Sequence, residues 1–154
     1  MIIQSIQEFH EGDSISKLKL LDVDVIEIIE SVYFDFMPGI SSKAKTLFKD
    51  ILKKNNFLID TSPDSGLGWK IHAINRHGTA IQFEFGNSAN AMYDVLKMAH
   101  LFRLGIVKDA IIILPMQINS KLIGSNIACY EKLEKEYALS FDLLFDTPIQ
   151  IIGI

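Results

Sequence analysis

The sequence predicts an α/β domain built on a mixed sheet with flanking helices, and three observations carry that prediction. Residues 79–85 alternate as a strand does, residues 89–104 recur at helical period, and residues 110–114 form an uninterrupted apolar run of buried-strand type. Strand, helix, strand in that order implies a right-handed crossover between parallel strands.

The remaining elements follow in chain order. Residues 20–32 are rich in Val, Ile and Leu, with Asp22, Asp24, Glu27 and Glu30 along one edge, and predict a helix that Pro38-Gly39 interrupts. Ser41 and Ser42 offer an N-cap to a second helix, in which Ala44, Leu47, Phe48, Ile51 and Leu52 recur at three- and four-residue spacing. Its outer face carries Lys43, Lys45, Lys49, Lys53 and Lys54, either as a solvated surface or as a face toward phosphate. Residues 57–60 predict a short strand, and 61–68 a loop by its Pro, Gly, Ser and Asp content. Residues 69–75 and 79–85 predict a hairpin with its turn at Arg76-His77-Gly78. Asn87 precedes or caps the long helix, and Gly105 ends it. Residues 116–126 read as a polar loop. Tyr130, Leu133 and Tyr137 share a face of a further helix, and 149–154 is a last apolar strand. One domain spanning 1–154 is expected, helical over 1–56 and with a sheet-bearing core over 57–154.

Composition narrows the class. Of 154 residues 49% are hydrophobic, which excludes a disordered chain, and no apolar run reaches the roughly 20 residues of a membrane helix. Cys129 is the lone cysteine and no secretory leader is visible, so a cytoplasmic protein is expected. The net charge of −4 argues against a protein coated in basic charge, yet five lysines against two aspartates gather in residues 41–60.

The chemistry concentrates on the hairpin. In Ile81-Gln82-Phe83-Glu84-Phe85 the apolar residues share one face and Gln82 and Glu84 the other. A carboxylate and an amide on so apolar a strand mark either a water-facing surface or an oxygen-donor site for a hard cation such as Mg²⁺. A two-residue turn sets Ala73 opposite Gln82. A three-residue turn sets His72 there and gathers Lys70, His72, Gln82 and Glu84 into one cluster. Both registers are open. No nucleophile triad, P-loop or dinucleotide fingerprint is present.

Residues Thr79-Ala-Ile-Gln-Phe-Glu-Phe-Gly-Asn87, Tyr93-Asp-Val-Leu96, Gly105 to Met116 and Pro148 to Gly153 together resemble the BglII and BstYI restriction endonucleases over about residues 70–154. The resemblance implies a restriction-endonuclease-like PD-(D/E)XK core, a homodimer, Mg²⁺, and cleavage of palindromic double-stranded DNA containing GATC. It also implies an Asp on the first hairpin strand and Glu-x-Gln on the second, with the Glu and the Asp on the metal. This chain departs from that pattern. Position 82 is Gln and position 84 is Glu, the reverse order, and the expected Asp falls on Ala73 or His72.

By that resemblance the catalytic set is Glu84, Gln82, Asp64 and His72. Glu84, Gln82 and Asp64 serve the metal, with Asp64, beside Pro63, as the nearest upstream acid. His72 suits a transition metal better than Mg²⁺. The DNA-facing set is Lys70, Asn87, Asn119, Ser120, Lys121, Ser125 and Asn126, whose amides and hydroxyls suit base edges. Met92, Met98 and Phe102 are core residues or part of a dimer-forming helix face. A Mg²⁺-dependent type II restriction endonuclease is the first functional expectation. A PD-(D/E)XK module with a decayed site, binding DNA or regulating a partner, is the alternative. An unrelated α/β domain is the third.

Overall fold

The computed structural model of the protein describes residues 5–9, 23–63, 68–136 and 147–154. Among these, six strands form one mixed sheet in the order β1-β6-β5-β4-β3-β2. The strands are β1 (Ser5–Phe9), β2 (Leu58–Thr61), β3 (Ile71–Ile74), β4 (Thr79–Phe83), β5 (Asp109–Leu114) and β6 (Ile149–Gly153). The helices are α1 (Val23–Glu30), α2 (Ile40–Lys54), α3 (Ser88–Arg103) and α4 (Gln117–Ile123), and residues 130–136 are helical as well.

The three central strands β4, β5 and β6 run parallel, while β1, β3 and β2 add antiparallel edges. The expected crossover is present: β4 leads through α3 into β5, which pairs parallel with it, Ile81 lying beside Ile111. Asn87 caps α3 by accepting the Ala89 N–H at 2.9 Å. Gly105 ends it at φ 70°, where its N–H reaches the Phe102 carbonyl at 2.8 Å.

Both faces of the sheet are covered, as buried parallel strands require. On one face Val25, Ile29, Ala44, Phe48 and Leu52 from α1 and α2 meet Ile81, Phe83, Phe85, Ile111, Ile113 and Ile152. Phe48 stacks on Phe83 at 4.7 Å and on Phe85 at 5.9 Å. On the other face Ala91, Val95, Met98 and Leu101 of α3 and Leu133 meet Ala80, Ile112, Leu114 and Ile151.

Three details differ from the sequence expectations, and one open alternative is decided. The strand β1 was not anticipated; it pairs antiparallel with β6, a partner some 140 residues away, and no local pattern announces such a pairing. The segment 116–126 is not all loop, because Gln117–Ile123 forms α4, whose Ile123 is buried against the α1/α2 core. Neither Ser41 nor Ser42 caps α2: the cap is Gly39 at φ 81°, and the Ser41 hydroxyl instead donates to the Phe85 carbonyl, tying α2 to the end of β4. Met98 is core, whereas the exposed apolar residues of this region are Tyr93, Leu96 and Leu104. The expected positions of Asp64 and Tyr137 lie outside the described residues.

Candidate active site

The hairpin adopts the three-residue turn. Asn75 N–H donates to the Thr79 carbonyl at 3.1 Å, and Gly78 takes φ 92°, a conformation that favours glycine. Ala73 then pairs with Ile81, which sets His72 beside Gln82. The paired register extends from Ala73–Ile81 only toward the turn; on the other side, side chains bridge the two strands. Gln82 Oε1 accepts the His72 N–H at 3.0 Å, and His72 Nδ1 accepts the Phe83 N–H at 3.0 Å. The His72 ring lies flat on Phe83, 5.7 Å between centroids.

Gln82 is fully buried and its amide has a single orientation. Nε2 donates to the Lys70 carbonyl at 3.2 Å and to Asp94 Oδ1 at 3.3 Å, so Oε1 must face His72. Asp94 and Lys97, one turn apart on α3, are both buried, with Lys97 Nζ 2.6 Å from Asp94 Oδ1 and 3.0 Å from the Lys70 carbonyl. The chain thus places an ion pair inside its core beside the amide, where each charge needs the other.

Glu84 follows β4 directly. Its N–H donates to the Ile113 carbonyl at 3.0 Å and its side chain is 5% exposed. Oε1 accepts the Gly86 N–H at 2.6 Å and stands 3.7 Å from Lys45 Nζ of α2. A Cβ at residue 86 would sit 2.8 Å from that oxygen, so glycine is what allows the carboxylate to fold back onto the backbone. Ser41, one turn before Lys45, holds the helix at this point.

Burial sets the titration of the cluster. It raises the Glu84 carboxyl above the ordinary carboxylate range, opposed by Lys45 and the Gly86 N–H and aided by Asp94. It raises Asp94 against the pull of Lys97. It lowers His72 to about 3, with Lys45, Lys49 and Lys97 adding to the effect. His72 is therefore a neutral imidazole whose Nδ1 is an acceptor already in use.

The structure brings Glu84, Gln82 and His72 together and leaves Lys70 exposed next to them. Three neighbours of this cluster had not been singled out. Lys45 was hidden among five similar lysines, and Asp94 and Lys97 fall at i, i+3 on the buried stripe of α3 with Ala91 and Met98, a charged pair on an apolar face. Of the segment expected to face DNA, Lys121, Ser125 and Asn126 are exposed. Ser120 is buried with its hydroxyl donated to the Gln117 carbonyl, and Asn119 Nδ2 donates to the Ile154 carbonyl. Asn126, at φ 59°, accepts the Ser88 hydroxyl, and Asn87 is spent on its cap.

The family model for restriction endonuclease BglII/BglIII matches residues 8–154. The chain belongs to this family. The BglII/BglIII membership agrees with the fold: a crystal structure of restriction endonuclease BglII complexed with a DNA 16-mer superposes with a TM-score of 0.79 at 16% identity, covering 99% of this chain and 78% of that one. A crystal structure of free BglII gives 0.64 at 20% identity, covering 100% and 79%. No curated protein sequence matches the chain.

The family generally works with a divalent metal, and the donor set here departs from what Mg²⁺ asks. Mg²⁺ favours carboxylate oxygens. The hairpin offers one carboxylate, Glu84; Gln82 Oε1 already accepts a hydrogen bond, and Asp94 is held by Lys97. Among the described residues no group of three His, Cys, Asp or Glu is placed to hold a metal ion. These residues by themselves do not fit a Mg²⁺ site.

Proposed function

We propose that the chain is a type II restriction endonuclease that hydrolyses double-stranded DNA at a palindromic, GATC-containing site as a homodimer in the cytoplasm. One observation carries this reading within the family: Glu84 lies buried at the end of β4, where side chains bridge β3 and β4, with Lys45 beside it. Lys45 and Lys49 on α2 and the exposed Lys70 supply local positive charge to a chain of net charge −4, which is what a phosphate backbone needs. Lys121, Ser125 and Asn126, exposed at and after α4, are the side chains of that segment open to DNA.

Hydrolysis joins a water oxygen to phosphorus and breaks one ester P–O bond; the departing oxygen leaves as a hydroxyl carrying a proton from the water. Glu84 in its ionised form is the group proposed to orient that water, and the Gly86 N–H and Lys45 favour that form. Dependence on Mg²⁺ enters the proposal from the family, and its site would need donors beyond Glu84, Gln82 and Asp94. Asp64, outside the described residues, is the acid proposed to complete the set begun by Glu84 and Gln82.

A second reading rests on the commitments of Gln82 and Asp94: a PD-(D/E)XK fold that binds DNA or regulates a partner without cutting. Incubating the protein with GATC-rich plasmid and Mg²⁺, and separately with Mn²⁺, tests both. Discrete fragments ending within GATC sites support the endonuclease. Intact plasmid with retained DNA binding supports the binding module.

A further inference from the structure

Resting on the nuclease reading, we propose that Lys45, borne by α2, is the cation that contacts the scissile phosphate. The anionic charge of a phosphodiester and the carboxylate of Glu84 repel each other, so a cation must stand between them. Four lysines surround the cluster, and geometry separates them. Lys97 is buried, with its ammonium on Asp94 and on the Lys70 carbonyl. Lys49 donates to Asp60 Oδ1 at 2.7 Å. Lys70 is exposed on the stretch before β3, and its carbonyl, not its ammonium, joins the cluster.

Lys45 differs from all three. Its side chain is 28% exposed, so solvent and substrate reach it. Its ammonium has three donors and one partner among the described residues, the Glu84 carboxylate at 3.7 Å, which is longer than a tight hydrogen bond. Those donors can turn to a non-bridging phosphate oxygen while the charge stays beside Glu84. The Ser41–Phe85 hydrogen bond anchors α2 one turn earlier and fixes where Lys45 emerges.

The test is DNA affinity measured across salt concentration, with cleavage alongside, for wild type, Lys45→Met, Lys45→Arg and Lys108→Met. Lys108 is exposed beside Gly78 at the turn end of the hairpin, away from the cluster. Losing a phosphate contact lowers the slope of log affinity against log salt by about 1 per chain. The expected result is that drop in Lys45→Met, with cleavage reduced about 100-fold or more. Lys45→Arg retains the slope and Lys108→Met changes neither quantity. An unchanged slope in a folded Lys45→Met protein overturns the proposal even if cleavage falls, because Lys45 would then act only through Glu84. If wild type binds DNA and does not cut it, the nuclease reading fails and the slope still decides the contact. If wild type does not bind DNA, both fail.

Discussion

Glu84 is a carboxylate whose burial works against its charge. Its folded-state pKa is raised, so its ionised form destabilises the fold. The contribution to stability is therefore full below the ordinary carboxylate value and is lost as pH rises through the raised folded value. Glu84→Gln keeps the shape without the charge. It is expected to melt at a higher temperature than wild type at neutral pH, and the gap should close as pH falls into the carboxylate range. Thermal melts across pH check this; equal melting temperatures at neutral pH would contradict it. At the same scale, the pairing of Gln82 with His72 rather than with Ala73 could not be read from residue types. The choice depended on one residue of turn length, and Asn75 settled it by presenting both its backbone and its side chain to the turn. Asp94 and Lys97 were legible in principle, since two charges on the face that carries Ala91 and Met98 have to find each other.

The elements are held by apolar stripes that the sequence displays openly. Ala44, Phe48 and Leu52 recur along α2 and are all buried, and Ala110 to Leu114 is a buried strand as its composition implies. Phe48 is the keystone of that layer because it stacks on both Phe83 and Phe85, the residues flanking Glu84. Phe48→Ala is expected to cost about 3–5 kcal/mol in chemical denaturation and to lower cleavage as α2 loosens from β4. A loss below 1 kcal/mol would show that α2 is not seated as described. The one element misread as a loop, α4, is short and carries Gln117, Asn119, Ser120 and Lys121. Over seven residues polar side chains conceal the helical period, and the burial of Ile123 appears only once the chain is folded.

At the scale of the whole molecule, the sheet joins residues 5–9 to 149–153, a closure that sequence period cannot announce. The same fold leaves Tyr93, Leu96 and Leu104 exposed along and just beyond α3, with Trp69 set edge-on to Tyr93. A palindromic site suits a two-fold assembly, and an exposed apolar patch of this kind is one that a two-fold dimer would bury against its copy. We therefore expect a dimer in sedimentation and expect Leu96→Asp to yield a monomer with weakened DNA binding. A wild-type monomer that still cuts both strands at once would count against this assembly.

Hydrolysis, as proposed, depends on the carboxylate at the end of β4. The most direct measurement is the single-turnover cleavage rate of a GATC-containing duplex under saturating protein and Mg²⁺, for wild type and for Glu84→Ala. A fall of about 100-fold or more is expected, with duplex affinity largely retained. Equal rates for the two proteins would contradict it and move the chemistry away from this hairpin.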